Sequence, residues 1–163
     1  MLKNKILGWG LITVLMLSCD SKQVFDHYKT VGQYWNKDSI MSFKVKAPDT
    51  INNYNLFVNL RNNSNYKYSN LFLIVQMNYP NGKVETDTLQ YDMAKPNGEF
   101  LGTGFGDTKE NKLWYKGYEK PFKFSEIGEY TFNIKHAMRE NGAVEGLTNL
   151  DGITDVGFRV EHR

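Results

Sequence analysis

The chain has 163 residues with 20 Lys+Arg against 18 Asp+Glu, a formal net charge of +2 and a single cysteine. So balanced a charge gives no electrostatic case for nucleic acid, which requires a clustered basic face. One thiol excludes an intramolecular disulfide and a Cys-based zinc site.

Residues 1–18 read as an export signal. Lys3 and Lys5 precede the apolar run Ile6 to Leu17, and the small residue Ser18 precedes Cys19. The run is shorter than the roughly 20 apolar residues a membrane span needs. Met16-Leu17-Ser18-Cys19 resembles a bacterial lipobox, in which the cysteine becomes the first mature residue and its thiol takes the diacylglycerol. Ser18 and Cys19 fit that motif. Met16 stands where Leu is usual, and Leu17 where a smaller residue is commoner. Cys19 is therefore expected to be lipidated and to attach the protein to a membrane through its acyl chains. Losing the signal removes Lys3 and Lys5 and no acid, which leaves 18 Lys+Arg against 18 Asp+Glu. No polybasic membrane patch remains. An acylated Cys19 also rules out cysteine nucleophile chemistry.

Residues 19–38 are expected to form the lipidated cysteine and a tether, polar at Asp20-Ser21-Lys22-Gln23. Phe25, Tyr28, Tyr34 and Trp35 follow, and a free tether would not need them, so this part should dock on the domain. Residues 39–163 are expected to be one domain, within which a period of two dominates. Met41, Phe43, Val45 and Ala47 alternate with Ser42, Lys44 and Lys46. Tyr54, Leu56, Val58 and Leu60 alternate with mostly polar partners. Leu71 to Met77 is nearly continuous in apolar residues, as a central strand would be. Tyr79-Pro80-Asn81-Gly82 makes a turn, and Lys83 to Tyr91 should return antiparallel, with Val84, Thr86 and Thr88 on one face. Leu113 to Tyr118 reads as a strand. Tyr130, Phe132 and Ile134 form one phase of another, and Val156, Phe158 and Val160 one phase of the last. Ala137 to Glu145 and Thr88 to Ala94 allow at most a short turn of helix. The pattern predicts an all-β fold, a single antiparallel β-sandwich of immunoglobulin type. Gly128-Glu129-Tyr130-Thr131-Phe132 resembles the start of a late strand in such sandwiches, where a tyrosine ties a loop back to the backbone. Ten Phe, ten Tyr and three Trp supply the burial that a disulfide-free exported domain needs.

No segment carries a catalytic or cofactor signature, so no catalytic residue, metal or cofactor is assigned. Gly102-Thr103-Gly104-Phe105-Gly106-Asp107 has Asp107 where a dinucleotide loop needs its third glycine, and no phosphate-loop Lys-Ser or Lys-Thr follows. Its alternation suggests an extended segment approached closely by another backbone or a ring. His136 and His162 continue inward phases and could meet at one rim, but a metal would need further ligands. Serine offers no Gly-x-Ser-x-Gly elbow. The functional hint is an aromatic surplus: Trp114, Tyr115, Tyr118, Phe122 and Phe124, interleaved with Lys112, Lys116, Lys120 and Lys123. Half of these rings could face the core. The others, drawn from Trp114, Tyr115, Tyr118 and Phe122, are the candidate contact surface for a protein, or alternatively for a glycan.

Four segments together resemble the GldH family of Bacteroidetes gliding-motility lipoproteins. They are the lipobox Met16 to Cys19, the stretch Tyr54-Asn55-Leu56-Phe57-Val58-Asn59-Leu60-Arg61-Asn62 with Tyr66-x-Tyr68-Ser69-Asn70-Leu71-Phe72, the run Pro96 to Asp107, and the ending Leu150-Asp151-Gly152-Ile153-Thr154-Asp155-Val156-Gly157-Phe158-Arg159-Val160-Glu161. Phe100 stands where that family is expected to have Trp. The resemblance implies a role in gliding motility, alongside the envelope machinery that exports adhesins through type IX secretion, with envelope proteins as partners. It brings no catalytic residues. Surface lipoproteins of this phylum tend to carry an acidic run after the cysteine. Asp20 is followed by Ser21-Lys22-Gln23, so the domain is expected to face the periplasm.

Overall fold

A computed structural model describes residues 20–163; Cys19 and the signal lie outside the described residues. Ten strands follow one another: β1 (Gln23–Thr30), β2 (Trp35–Asn36), β3 (Met41–Lys46), β4 (Tyr54–Asn62), β5 (Asn70–Asn78), β6 (Val84–Asp92), β7 (Lys109–Lys116), β8 (Glu129–His136), β9 (Asn149–Leu150) and β10 (Ile153–His162). No helix occurs among the described residues. Thr88 to Asp92 belongs to β6, and Ala137 to Glu145 is an irregular loop.

Eight long strands form two antiparallel four-stranded sheets, ordered β1-β10-β4-β7 and β3-β8-β5-β6, and β2 and β9 pair separately. The antiparallel sandwich is as expected, and the strand order specifies its type. The pairs β1·β10, β3·β8, β4·β7 and β5·β6 nest within one another along the chain. That is a long hairpin rolled into two sheets, a jelly roll, rather than the strand order of an immunoglobulin sandwich.

The sheet takes in residues that the sequence pattern assigned to the tether. β1 pairs along β10 from Gln23 with Glu161 to Thr30 with Asp155, so the folded domain begins at Gln23 rather than at residue 39. The aromatic lead docks as expected, and it does so by supplying an edge strand. Its weak alternation has a cause: β1 lies at the sheet edge and leaves most of its side chains half-buried or exposed.

The inward phases meet between the sheets. Phe132 from one sheet stacks on Phe158 from the other, with ring centroids 4.1 Å apart, and Phe43, the cross-strand partner of Phe132, also stacks on Phe158 at 6.2 Å. Leu56, Val58, Leu60, Leu73, Val75, Ile134, Val156 and Val160 are fully buried around them. β5 is central, between β8 and β6. In β6, Val84, Thr86 and Thr88 share the outward face.

Tyr130 ties a loop to the backbone. Its hydroxyl accepts the N–H groups of Ser125 (3.1 Å) and Glu126 (3.2 Å) and lies 3.3 Å from the Glu126 carbonyl. This fixes the 122–128 loop at one rim. The same rim gathers both ends of the described chain. The His162 N–H donates to the Lys22 carbonyl, Arg163 N–H to Asn53, Tyr54 N–H to Phe122 and Ala47 N–H to Gly128. The loops after β1, β4, β6 and β8 form the opposite rim.

Candidate functional site

The aromatic segment begins on β7, the edge strand beside β4. Their register slips by one between Phe57–Trp114 and Leu56–Lys116. The slip is a β-bulge, a device that re-aims side chains at a sheet edge. Tyr115 turns into the core. It is 9% exposed, meets Phe132 and Phe158 edge-on, and donates its hydroxyl to Asp87 at 2.9 Å. Burial, and then the Asp87 carboxylate, push its phenol well above the usual range. Tyr115 is therefore a core residue and not part of a contact surface, because the inward phase of β7 claims it.

Trp114 and Tyr118 stay outside, 39% and 70% exposed. Their ring centroids are 5.3 Å apart, and Trp114 packs on Phe57 at 4.4 Å. The Tyr91 hydroxyl donates to the Trp114 carbonyl at 2.6 Å, which holds the strand edge in place. Lys112 Nζ sits 4.2 Å from the centre of the Phe57 ring and pairs with Glu161 at 2.6 Å. Phe122 is half-buried, edge-on to Phe124 at 5.2 Å, while Phe124 belongs to the core. Beside this ridge lies an open hollow of about 480 Å³ bordered by Trp114, Lys116, Tyr118, Lys120 and Phe122. The structure thus joins Trp114 and Tyr118, places Phe122 at the ridge's foot, and withdraws Tyr115. Phe57 joins the ridge unannounced. Its signal was present in the sequence as the one apolar residue in the outward phase of β4.

The same sheet face carries an ion network that sequence reading missed. The Arg159 guanidinium reaches Asp20, Asp26 and Glu161, and Glu161 also takes Lys112. Burial alone would raise the Glu161 pKa, but Lys112 and Arg159 outweigh it and hold the carboxyl below its ordinary value. These charges alternate with core residues along β1 and β10, so strand periodicity marks them only as outward. Their pairing depends on register.

The histidines do not meet. His136 is buried against Trp35, with ring centroids 5.5 Å apart. His162 lies on Tyr54 at 5.1 Å, at the opposite rim. Among the described residues no group of three or more His, Cys, Asp or Glu is placed to hold a metal ion, and no helix is long and apolar enough to cross a membrane. The glycine run is not extended: it bends and turns through Gly102, Gly104 and Gly106, all at positive φ, with a single bridge from Thr103 to Glu110. A Cβ on Gly102 would lie 2.7 Å from the Glu110 carbonyl, and one on Gly104 would lie 2.6 Å from that of Thr108. Close backbone approach therefore explains these glycines.

A sequence model of the family described as GldH lipoprotein matches residues 23–160. The chain is 54% identical over 148 residues to the gliding motility lipoprotein GldH homolog of Christiangramia forsetii, covering 91% of this chain and 89% of that one. It is 50% identical over 153 residues to the gliding motility lipoprotein GldH of Flavobacterium johnsoniae, covering 94% and 93%. Among solved structures it is similar to a chain of infectious bursal disease virus Gx strain at 14% identity and a TM-score of 0.39, covering 99% of this chain and 37% of that one. A likeness that distant carries no argument.

Proposed function

The chain belongs to the GldH lipoprotein family, and from that premise we propose that it is a component of the gliding machinery, acting by binding other envelope proteins without turnover of its own. Lipidation of Cys19 anchors it, and the domain faces the periplasm, alongside the machinery that also secretes adhesins. Family membership does not by itself assign a molecular role. The observation that carries the binding role is the ridge of Trp114 and Tyr118, propped by Phe57 and flanked by lysines. Tyr and Trp are enriched at protein interfaces, and they contribute most when they are already rigid. Phe57 and the bulge provide that rigidity.

The test is site-specific photo-crosslinking in living cells, with the probe at Trp114, Tyr118 and, as a control, Val144 on the opposite rim. Probes at Trp114 and Tyr118 should capture the same discrete envelope protein, and the control should not. Charge reversal at Lys112 and Lys116 should weaken capture more than it weakens folding. Equal capture at all three positions would reject the ridge as the contact. A purified protein that bound or cleaved a glycan through the hollow beside Trp114 would replace the protein-binding reading.

A further inference from the structure

We propose that the rim holding both ends of the described chain lies on the bilayer surface, with Ile51 and Ile127 seated among the lipid headgroups and upper acyl chains. This rests on the lipidation of Cys19 proposed above. The occupant is the membrane leaflet that holds those acyl chains.

The first ground is the distance to the anchor. Asp20 is fixed to the domain: its carboxylate takes Arg159 and the Lys22 N–H, and its carbonyl takes the Gln23 N–H. Cys19 is the adjacent residue, about 3.8 Å away between Cα atoms. The fold therefore starts with no slack chain between it and the lipid, and the rim beside Asp20 must approach the headgroups.

The second ground is what that rim presents. Ile51 is 77% exposed, Tyr118 70% and Ile127 62%. An exposed aliphatic residue is ordinary when it stands alone. These stand on loops that the hydrogen bonds from Lys22 through His162, Asn53, Tyr54 and Phe122 bring to one end of the sandwich. The backbone that carries both isoleucines is tied down. The Asp49 carboxylate accepts the N–H groups of Ile51 and Asn52, each at 2.8 Å, and the Tyr54 hydroxyl at 2.7 Å. Ile127 rides the loop tied down by Tyr130. With the backbone already ordered, burial costs only the side-chain rotamer entropy. Lys46, Lys120 and Lys123 are exposed on the same rim, where an apolar stem can lie in the interface with its ammonium in water, and Tyr118 suits the same zone.

The third ground is contrast. The opposite rim also exposes Phe105 and Val144, but it stands a strand's length away, about 30 Å for a strand the size of β10. Lipid can reach only one rim. The ridge of Trp114 starts from the membrane-side rim at Tyr118, so its partner would be met within reach of the bilayer.

The experiment uses the full-length lipoprotein, purified in detergent and reconstituted into phosphatidylethanolamine–phosphatidylglycerol vesicles. Ile51→Cys, Ile127→Cys and Val144→Cys are each labelled with a nitroxide, and collisions with oxygen are compared with collisions with a water-soluble nickel chelate. The oxygen-to-nickel ratio should be several-fold higher at residues 51 and 127 than at 144. Equal ratios on vesicles that float with an acylated protein would overturn this proposal and leave lipidation standing. An unmodified N-terminus on protein that fails to float would overturn both.

Discussion

Replacing Tyr130 with Phe removes one oxygen and leaves the core ring in place. The ring is fully buried against Phe124 and Tyr79, so packing should survive. The Ser125 and Glu126 N–H groups lose their acceptor, and the Glu126 carbonyl loses a donor. Each such bond contributes a net of about 0.5–1.5 kcal/mol. Ser125 is exposed and Glu126 half-buried, so water can take over part of the lost bonding. The expected cost is therefore about 1–2 kcal/mol rather than the sum of three bonds. With a urea slope of about 2 kcal/mol per molar, the midpoint should fall by roughly 0.5–1 M. Amide exchange at residues 125 and 126 should accelerate by roughly tenfold, the equivalent of 1.4 kcal/mol, with little change in β5. An unchanged midpoint and unchanged protection at both amides would show that the tyrosine does not secure the loop.

Glycine substitutions separate backbone angle from space. Gly82 has φ 86° with nothing within 4 Å of an added Cβ, whereas on Gly152, at φ 81°, the Cβ would lie 2.1 Å from the Tyr66 nitrogen. Gly82→Ala should cost about 1–2 kcal/mol and Gly152→Ala more than about 4 kcal/mol by chemical denaturation; equal costs would sink the argument. His136 should make stability depend on mild acid. Burial lowers its pKa, with the Trp35 main chain opposing only partly; Nε2 has no hydrogen-bond partner and Nδ1 accepts from Met138 N–H. Lys37, Asp38, Lys135 and Arg139 border the adjoining hollow. The unfolded chain takes the proton more readily, so this stability is complete above about pH 6.5 and is lost as pH falls from there through the folded value. The Glu161 contribution, depressed in pKa by its cation partners, goes only in the lower carboxylate range. An NMR titration of His136 in the native state giving a pKa above the free-histidine value would contradict this.

Strand periodicity made the interior legible. Val58, Phe132 and Phe158 belong to phases of period two, and a one-residue slip would have exposed each set. Topology was not legible, because local alternation says nothing about which strands become neighbours; the nesting that distinguishes a jelly roll from an immunoglobulin sandwich lies in long-range pairing. β1 was missed for a related reason, since an edge strand with one half-buried face has diluted alternation. The aromatic surplus marked one segment but could not sort its rings. Tyr115 and Trp114 are adjacent and similar, and which of them faces inward depends on the phase that β7 takes up beside β4, with Asn111 and Tyr115 turned in and Lys112 and Trp114 turned out. The Arg159 network needed the register of β1 on β10 before its charges could be paired.

The last strand among the described residues is also a middle one. β10 lies between β1 and β4, and so carries the hydrogen bonding of both the first strand and the third long one. An exported chain threads through the membrane from its N-terminus, so one whole layer must wait for β10 to emerge after all the other strands. Until then β1 and β4 expose unpaired edges, the condition under which chains aggregate or meet chaperones. A stop codon at Ile153 would remove all of β10 and divide that layer, and in vivo it should behave as a null allele rather than as a trimmed but working protein.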